Sequence, residues 1–217
     1  MIKIWGRPEA LGIQKVLWTC DELRMPFRRY DPDRPASPRA TSPLLEEPIP
    51  MVDERGLIVW EPNALMRYLF SQFGRRMTSA AQNPSDDWVE WISSNLVPSV
   101  RLLSAGLLRR RGENVDETPR RAAECARHAL RLETALTDAP FLGGEALSMA
   151  DVAAGAAVWH WFALGLERPD LPQLCRWIAV LRARHGFERH VAKPLAQRRP
   201  ALPSPRPRRS GSLAAAG

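Results

Sequence analysis

The spacing of apolar residues changes near residue 84, and this change limits the folds that the chain can adopt. Before that point, short apolar runs typical of strands alternate with segments of helical spacing. After it, apolar residues recur every three or four positions in several successive segments. The sequence therefore predicts a mixed α/β unit followed by an all-α unit, joined near Asn83-Pro84-Ser85.

The first half predicts the order β-α-β, a long connection, and then β-β-α. The predicted elements are strands at residues 2–5, 27–30, 51–53 and 57–60 and helices at about 10–24 and 64–73. Five prolines from Pro32 to Pro48 indicate an irregular connection, because proline removes backbone donors and interrupts regular elements. Glu54-Arg55-Gly56 lies between two apolar runs and predicts a hairpin.

The second half predicts four helices. They begin with one from about residue 85 to 111, in which Pro98 predicts a kink or a break, and one from about 122 to 136. The third starts at Ser148, where Asp151 three residues later gives an aspartate version of the capping box, flanked by a hydrophobic staple of Leu147 and Val152. The fourth spans about 172–184.

The charge is unevenly distributed along the chain. The formal net charge is +7, but residues 198–217 contain five arginines and no acid, so the remainder carries +2. This Pro-, Ser- and Ala-rich tail is typical of disorder. Contact of the tail with nucleic acid or an anionic membrane is the alternative, although no aromatic residues lie between its arginines to stack on bases.

Three sequence features exclude whole classes of protein. No stretch of 18 apolar residues is present, so no transmembrane helix is expected. The first ten residues, MIKIWGRPEA, do not have the pattern of a secretory signal, so a cytoplasmic protein is expected. The three cysteines (Cys20, Cys125 and Cys175) are far apart and share no metal-ligand spacing with the histidines, which argues against a disulfide scaffold and a metal site.

The element order and several motifs resemble the cytosolic glutathione transferase family. The stretches that carry the resemblance are MIKIWGRP, IQKVLW, EPIPMV, VWEPNALMRYL and FLGGEALSMADVAAG, within roughly residues 1–195. The resemblance implies a thioredoxin-like α/β domain (1–77), a linker (78–84), an all-α helical bundle (85–195) and a disordered tail (196–217). It also implies a cytoplasmic homodimer that conjugates glutathione, as co-substrate, to a small hydrophobic electrophile in detoxification.

The resemblance places a glutathione-binding site on the first domain. Ile49-Pro50 matches an X-Pro bond that is cis in the family, and the backbone of Ile49 would pair with the cysteinyl part of glutathione. Glu61 matches a residue that holds the γ-glutamyl ammonium. Each has a structural alternative, because the proline can simply shape a turn and a carboxylate at a helix start can simply cap it.

Pro62 departs from the family pattern. The family usually has serine here, whose hydroxyl and backbone N–H donate to the γ-glutamyl carboxylate, and proline has neither donor. Loss of two hydrogen bonds to a charged group, each worth about 1.5–3 kcal/mol, would weaken binding by about two orders of magnitude or more. The backbone N–H of Asn63 and its side chain are the candidate replacements.

The position that activates the thiol also departs from the family pattern. The stretch from Gly6 to Gly12 contains no hydroxyl and no thiol, and Ala10 stands where close bacterial relatives have serine. Cys20 has the spacing of a core residue. The remaining candidates are the free amides at the start of the first helix, near Gly12, and the charge of Arg7. Two functions stay open: an active transferase, or a catalytically degenerate binding or scaffold protein.

Three residues of the predicted long helix are candidates for the electrophile site: Trp88, Asn95 and Arg101. The alternative for Trp88 and Trp91, three positions apart, is packing in a core or at a dimer surface. His160 lies between two tryptophans and is expected in the interior or at the domain boundary.

Overall fold

The computed structural model describes residues 1–31, 51–52, 58–59, 61–73, 85–108 and 117–198. Its elements are β1 (Ile2–Trp5), α1 (Leu11–Glu22), β2 (Phe27–Tyr30), β3 (Met51–Val52), β4 (Ile58–Val59), α2 (Pro62–Phe73), α3 (Ser85–Trp91), a first π turn (Ile92–Leu96), α4 (Val97–Leu108), α5 (Glu117–Ala135), α6 (Met149–Ala163), α7 (Pro172–Arg182), α8 (His185–Phe187), a second π turn (Glu188–Ala192) and α9 (Lys193–Arg198). No helix in this part of the chain has the length and apolarity needed to cross a membrane.

The four strands form one sheet in the order β2-β1-β3-β4. β1 pairs with β2 in parallel, whereas β3 is antiparallel to both β1 and β4. The predicted sequence of strands and helices in the first half and the helical second half are therefore confirmed.

α1 is largely buried, since eight of its twelve residues, from 13 to 20, are buried. It contacts α2 on one side and α6, α8 and the second π turn on the other. Trp18 and Cys20 are fully buried, which confirms the interpretation of Cys20 as a core residue. α6 approaches α1 so closely that a Cβ added at Gly155 would lie 3.3 Å from the Trp18 ring and 2.6 Å from Leu181 Cδ1.

The predicted capping box at the start of α6 is present, and its carboxylate does more than cap. Asp151 accepts hydrogen bonds from the backbone N–H and the hydroxyl of Ser148, at 2.8 and 2.6 Å. It also accepts from the Leu142 N–H at 2.8 Å and from Trp177 Nε1 at 2.9 Å. The single carboxylate therefore joins the loop before α6 to α7.

A π turn lies just before a proline in two helical segments of the second half. The long helix predicted from 85 to 111 is divided into α3, the first π turn and α4, with Pro98 at the second position of α4, so the predicted break near Pro98 is confirmed. The helix predicted at 172–184 ends at Arg182; after a break at 183–184 the chain is helical again from His185 to Arg198, with a π turn just before Pro194. The helix therefore runs three residues into the segment predicted as a disordered tail. Because proline lacks an N–H and its ring clashes with the carbonyl four residues earlier, the wider π turn accommodates it without ending the helix.

Candidate functional site

The first turn of α2 carries three of the predicted glutathione-binding residues. Glu61 is exposed, and its Oε2 accepts a hydrogen bond from the Ala64 N–H at 2.7 Å, so the carboxylate caps the helix. Pro62 occupies the first helical position, where a missing N–H costs little. The N–H of Asn63 finds no acceptor among the described residues. This N–H is therefore available to a ligand at the start of α2.

The side chain of Asn63 is hydrogen-bonded to two other side chains. Its Oδ1 accepts from Lys15 Nζ at 2.7 Å, and its Nδ2 donates to Ser93 Oγ at 2.7 Å. The Ser93 hydroxyl in turn donates to the Val89 carbonyl at 2.7 Å. An ammonium can only donate, so Lys15 fixes which end of the Asn63 amide faces it. These bonds use the Oδ1 and one of the two N–H groups of the Asn63 amide, and its role as a replacement donor for glutathione stays a prediction.

Sequence reasoning missed Lys15. Lys15 is only 4% exposed. Burial lowers the pKa of its ammonium from 10.5 to about 8, although the nearby Glu61 carboxylate opposes the shift. A lysine in the buried stripe of α1 was the available signal, since fully buried lysines are rare. The hydrogen bond from Lys15 to Asn63 places the second turn of α1 against the first turn of α2.

The start of α1 presents backbone amides and no side-chain cap. Ala10 is the extended N-cap residue, and its side chain makes no capping bond. The N–H groups of Leu11, Gly12 and Ile13 have no acceptor among the described residues. Arg7 is exposed beside this turn. The turn is tight, because a Cβ at Gly6 (φ +155°) would lie 2.2 Å from Ile13 Cδ1.

One further contact of α1 lies at the boundary with the helical region, and a buried cysteine lies on the same helix. His160 Nε2 of α6 lies 2.7 Å from Gln14 Oε1, which agrees with the expected boundary position of His160. Burial raises the pKa of the Cys20 thiol to about 12, so this cysteine stays a thiol at neutral pH and offers no thiolate nucleophile.

Comparison with known proteins finds similarity to glutathione S-transferases. The profile "Glutathione S-transferase, C-terminal domain" matches residues 107–185. The Escherichia coli (strain K12) glutathione S-transferase GstB is 29% identical over 212 residues, which cover 90% of this chain and 100% of GstB. A theta class glutathione S-transferase from Xanthomonas axonopodis pv. citri, solved with glutathione bound, is 27% identical, with a TM-score of 0.76 over 89% of this chain and 98% of that one. The chain is similar to glutathione S-transferases over about nine-tenths of its length.

The architecture of the glutathione S-transferase family also extends to more distant structures. An epsilon-class glutathione S-transferase from the housefly, Musca domestica, is 18% identical and has a TM-score of 0.76 over 91% of this chain and 94% of that chain. At that identity the likeness concerns the fold alone. The N-terminal β/α region and the helical C-terminal region predicted from the resemblance are confirmed at this level.

The predicted electrophile-site residues lie in different local environments. Trp88 makes an edge-to-face contact with Trp91 at 5.5 Å between ring centroids, and the Arg131 guanidinium of α5 lies over both rings. Asn95 donates its side-chain amide to the Trp91 carbonyl at 3.0 Å, and Arg101 is exposed. No contact in the described part of the chain joins the three predicted residues.

Ile49 and Pro50, predicted to bind the cysteinyl backbone, lie outside the described residues. Within the described ranges, no group of three or more His, Cys, Asp or Glu side chains is placed to hold a metal ion.

Proposed function

We propose that this protein is a glutathione S-transferase that binds glutathione and transfers its thiolate to an electrophilic carbon of a small hydrophobic molecule. The observation that carries the proposal is the first turn of α2. There the exposed Glu61 carboxylate lies close to the Asn63 N–H, which has no acceptor among the described residues. An α-amino acid group carries an ammonium and a carboxylate on one carbon, and this turn offers a partner for each.

The γ-glutamyl group of glutathione is such an amino acid group. Glu61 would accept from its ammonium, while the Asn63 N–H and the positive end of α2 would receive its carboxylate. The glutathione-bound Xanthomonas relative supports this choice of ligand. Ile49 and Pro50 complete the proposed site through the cysteinyl backbone.

The start of α1 would stabilise the thiolate. The backbone N–H groups near Gly12 form the positive end of α1, which would favour a thiolate. Arg7 adds a cation beside the turn. In the reaction, the sulfur lone pair forms a bond to the electrophilic carbon, and the leaving group departs with the electrons of the broken bond. The thiol proton passes to solvent before this step. The backbone N–H groups at the start of α1 then stabilise the thiolate, which is the role of a hydroxyl in other members.

A second function is favoured by two specific residues. Ala10 brings no hydroxyl to the start of α1, and Pro62 brings no donor to the start of α2. A chain with this pair could retain the transferase fold as a binding or scaffold module without conjugation. The two functions differ in glutathione affinity and in the response to restored hydroxyls.

Calorimetric titration with reduced glutathione distinguishes the two functions. The wild type, Pro62→Ser, Ala10→Ser and the double variant would be compared, with Ser71→Ala on the exposed end of α2 as a control. Conjugation would be followed by absorbance with a nitro-activated aryl chloride. For an active transferase, the wild type binds and turns over, and Pro62→Ser gains about tenfold or more in affinity from restored donors.

The binding-module alternative gives a different result. The wild type then shows no heat below millimolar glutathione and no turnover, and only the double variant gains both. If neither the wild type nor the double variant binds glutathione, the proposed function is wrong.

The oligomeric state, the domain boundary and the electrophile contacts are part of the same proposal. We infer a cytoplasmic homodimer, a boundary between the two domains at 78–84, and electrophile contacts from Trp88, Asn95 and Arg101. Light scattering would give the oligomeric state, and limited proteolysis would locate the boundary. Separate alanine variants of the three residues would raise the KM for the electrophile and leave that for glutathione unchanged.

A further inference from the structure

Lys15 has a buried ammonium group whose charge the described residues do not neutralise. Its one hydrogen bond is to the neutral Oδ1 of Asn63 at 2.7 Å, although an ammonium has three N–H donors. No carboxylate of the described part of the chain lies within salt-bridge distance of Nζ. Buried charges in proteins normally have a partner of opposite charge. Among the described residues, Lys15 therefore has no carboxylate in direct contact, although the charge of Glu61 acts on it from a greater distance.

The position of this charge is specific. Asn63 is the second residue of α2, so Lys15 lies directly behind the turn that carries the Asn63 N–H, the proposed donor to the ligand. Through Asn63, the ammonium is also connected to Ser93 of the first π turn, which belongs to the helical region. The first turn of α2 is thus fixed against both α1 and the C-terminal helices.

We propose that Lys15 is a positioning residue for the γ-glutamyl carboxylate of glutathione, which it favours by its charge and by holding Asn63 in place. The inference rests on the proposed function and adds to it a residue outside the family's usual binding set. Because the ammonium is buried, it does not contact the ligand directly. It acts by holding Asn63 in place and through the electric field at the start of α2.

The charges around the turn explain why a carboxylate is the favoured group. Glu61 is the acidic residue whose charge raises the pKa of Lys15 against the effect of burial, and it remains exposed to receive a cation. On the other side of the turn, the ammonium and the helix end both favour an anion, and in a dry environment such charges act over several ångströms. Because Pro62 has removed two neutral donors, the Lys15 charge compensates for part of their loss.

The test compares two ligands on variants that differ in one charge. S-methylglutathione lacks the titrating thiol, and its analogue with the γ-glutamyl α-carboxylate converted to an amide lacks the proposed anion. Lys15→Gln keeps a hydrogen-bond donor for Asn63 but removes the charge. Lys3→Gln removes the same charge from an exposed position of β1 and is the matched control.

The expected result is a selective loss. By calorimetry, Lys15→Gln loses about tenfold or more in affinity for S-methylglutathione and less than about twofold for the amide analogue. Lys3→Gln matches the wild type with both ligands. Lys15→Met, an uncharged side chain of similar length, serves as the second variant and is expected to fold, because it removes a buried charge.

Each other outcome contradicts a specific claim. Equal losses for the two ligands would mean that Lys15 is only structural, and full retention of S-methylglutathione affinity would mean that it has no role in binding. Either result overturns this inference and leaves the proposed function intact. If the wild type binds neither ligand, the proposed function and this inference are both wrong.

Discussion

Replacement of Lys15 by methionine should change stability in a way that depends on pH. In the folded protein, burial lowers the pKa of this ammonium from 10.5 to about 8, which is equivalent to about 3 kcal/mol of unfavourable free energy when the group is charged. Below about pH 8 both the folded and the unfolded chain carry the proton, so the full cost is present at neutral pH.

The methionine variant removes this cost but creates a smaller one. Asn63 Oδ1 loses its donor, and a buried acceptor without a partner costs about 1–3 kcal/mol. At about pH 7 the variant should therefore equal the wild type or exceed it by up to about 2 kcal/mol in free energy of unfolding. A similar truncation of an ordinary buried side chain would destabilise the protein.

The sign of the pH effect follows from proton binding. Between about pH 8 and 10.5 the unfolded chain holds the Lys15 proton more strongly than the folded chain, so wild-type stability rises with pH relative to the variant. From about pH 7 to about pH 9.5 the difference should shift by about 2 kcal/mol toward the wild type.

Urea unfolding followed by tryptophan fluorescence at the two pH values measures this shift, since Trp18 and Trp177 are fully buried. Lys3→Met, at an exposed position, should show a difference from the wild type that is the same at both pH values. A pH-independent difference for Lys15→Met would refute the reasoning, because the ammonium would then titrate alike in the folded and unfolded chain.

Three further predictions concern the scaffold. Asp151→Ala leaves four donors without their acceptor and should lower the free energy of unfolding in urea by about 3 kcal/mol or more, whereas exposed Asp138→Ala should change it by less than about 0.5 kcal/mol. Gly6→Ala adds a Cβ 2.2 Å from Ile13 and should lower the melting temperature far more than Gly144→Ala, which has a positive φ of 106° but no atom within 4 Å. Burial lowers the pKa of His190 from 6.5, with Asp21 opposing. The unfolded chain therefore binds protons first as the pH falls through 6.5, and wild-type stability in urea should fall relative to His190→Gln.

Local sequence signals predicted the fold well. The strand and helix order depends on apolar spacing, and the start of α6 depends on Ser148 and Asp151, which lie three residues apart. Such features arise within one element and can be recognised from adjacent residues. The helical segment after Arg182 was missed because Gly186 and Pro194 are typical of a chain that leaves a helix.

The candidate site was only partly predictable, since its side chains are joined across the chain. Lys15 and Asn63 are 48 positions apart, and Asn63 and Ser93 are 30 apart. No periodicity reports contacts at such separations, so the bonds of Asn63 to Lys15 and Ser93 were not predicted from the sequence. Glu61 and Pro62 were placed correctly at the start of α2, because helix starts have their own sequence pattern.

The first π turn affects how the helix that contains it should be aligned with helices of related proteins. A residue inserted in a helix rotates everything beyond it by about 100°. Trp91, before the turn, faces Arg131 of α5, whereas Ser93, within it, reaches Asn63 of α2. An alignment against a relative with an uninterrupted helix should therefore place its one-residue gap inside 92–96. A gap anywhere else would equate side chains that point in different directions.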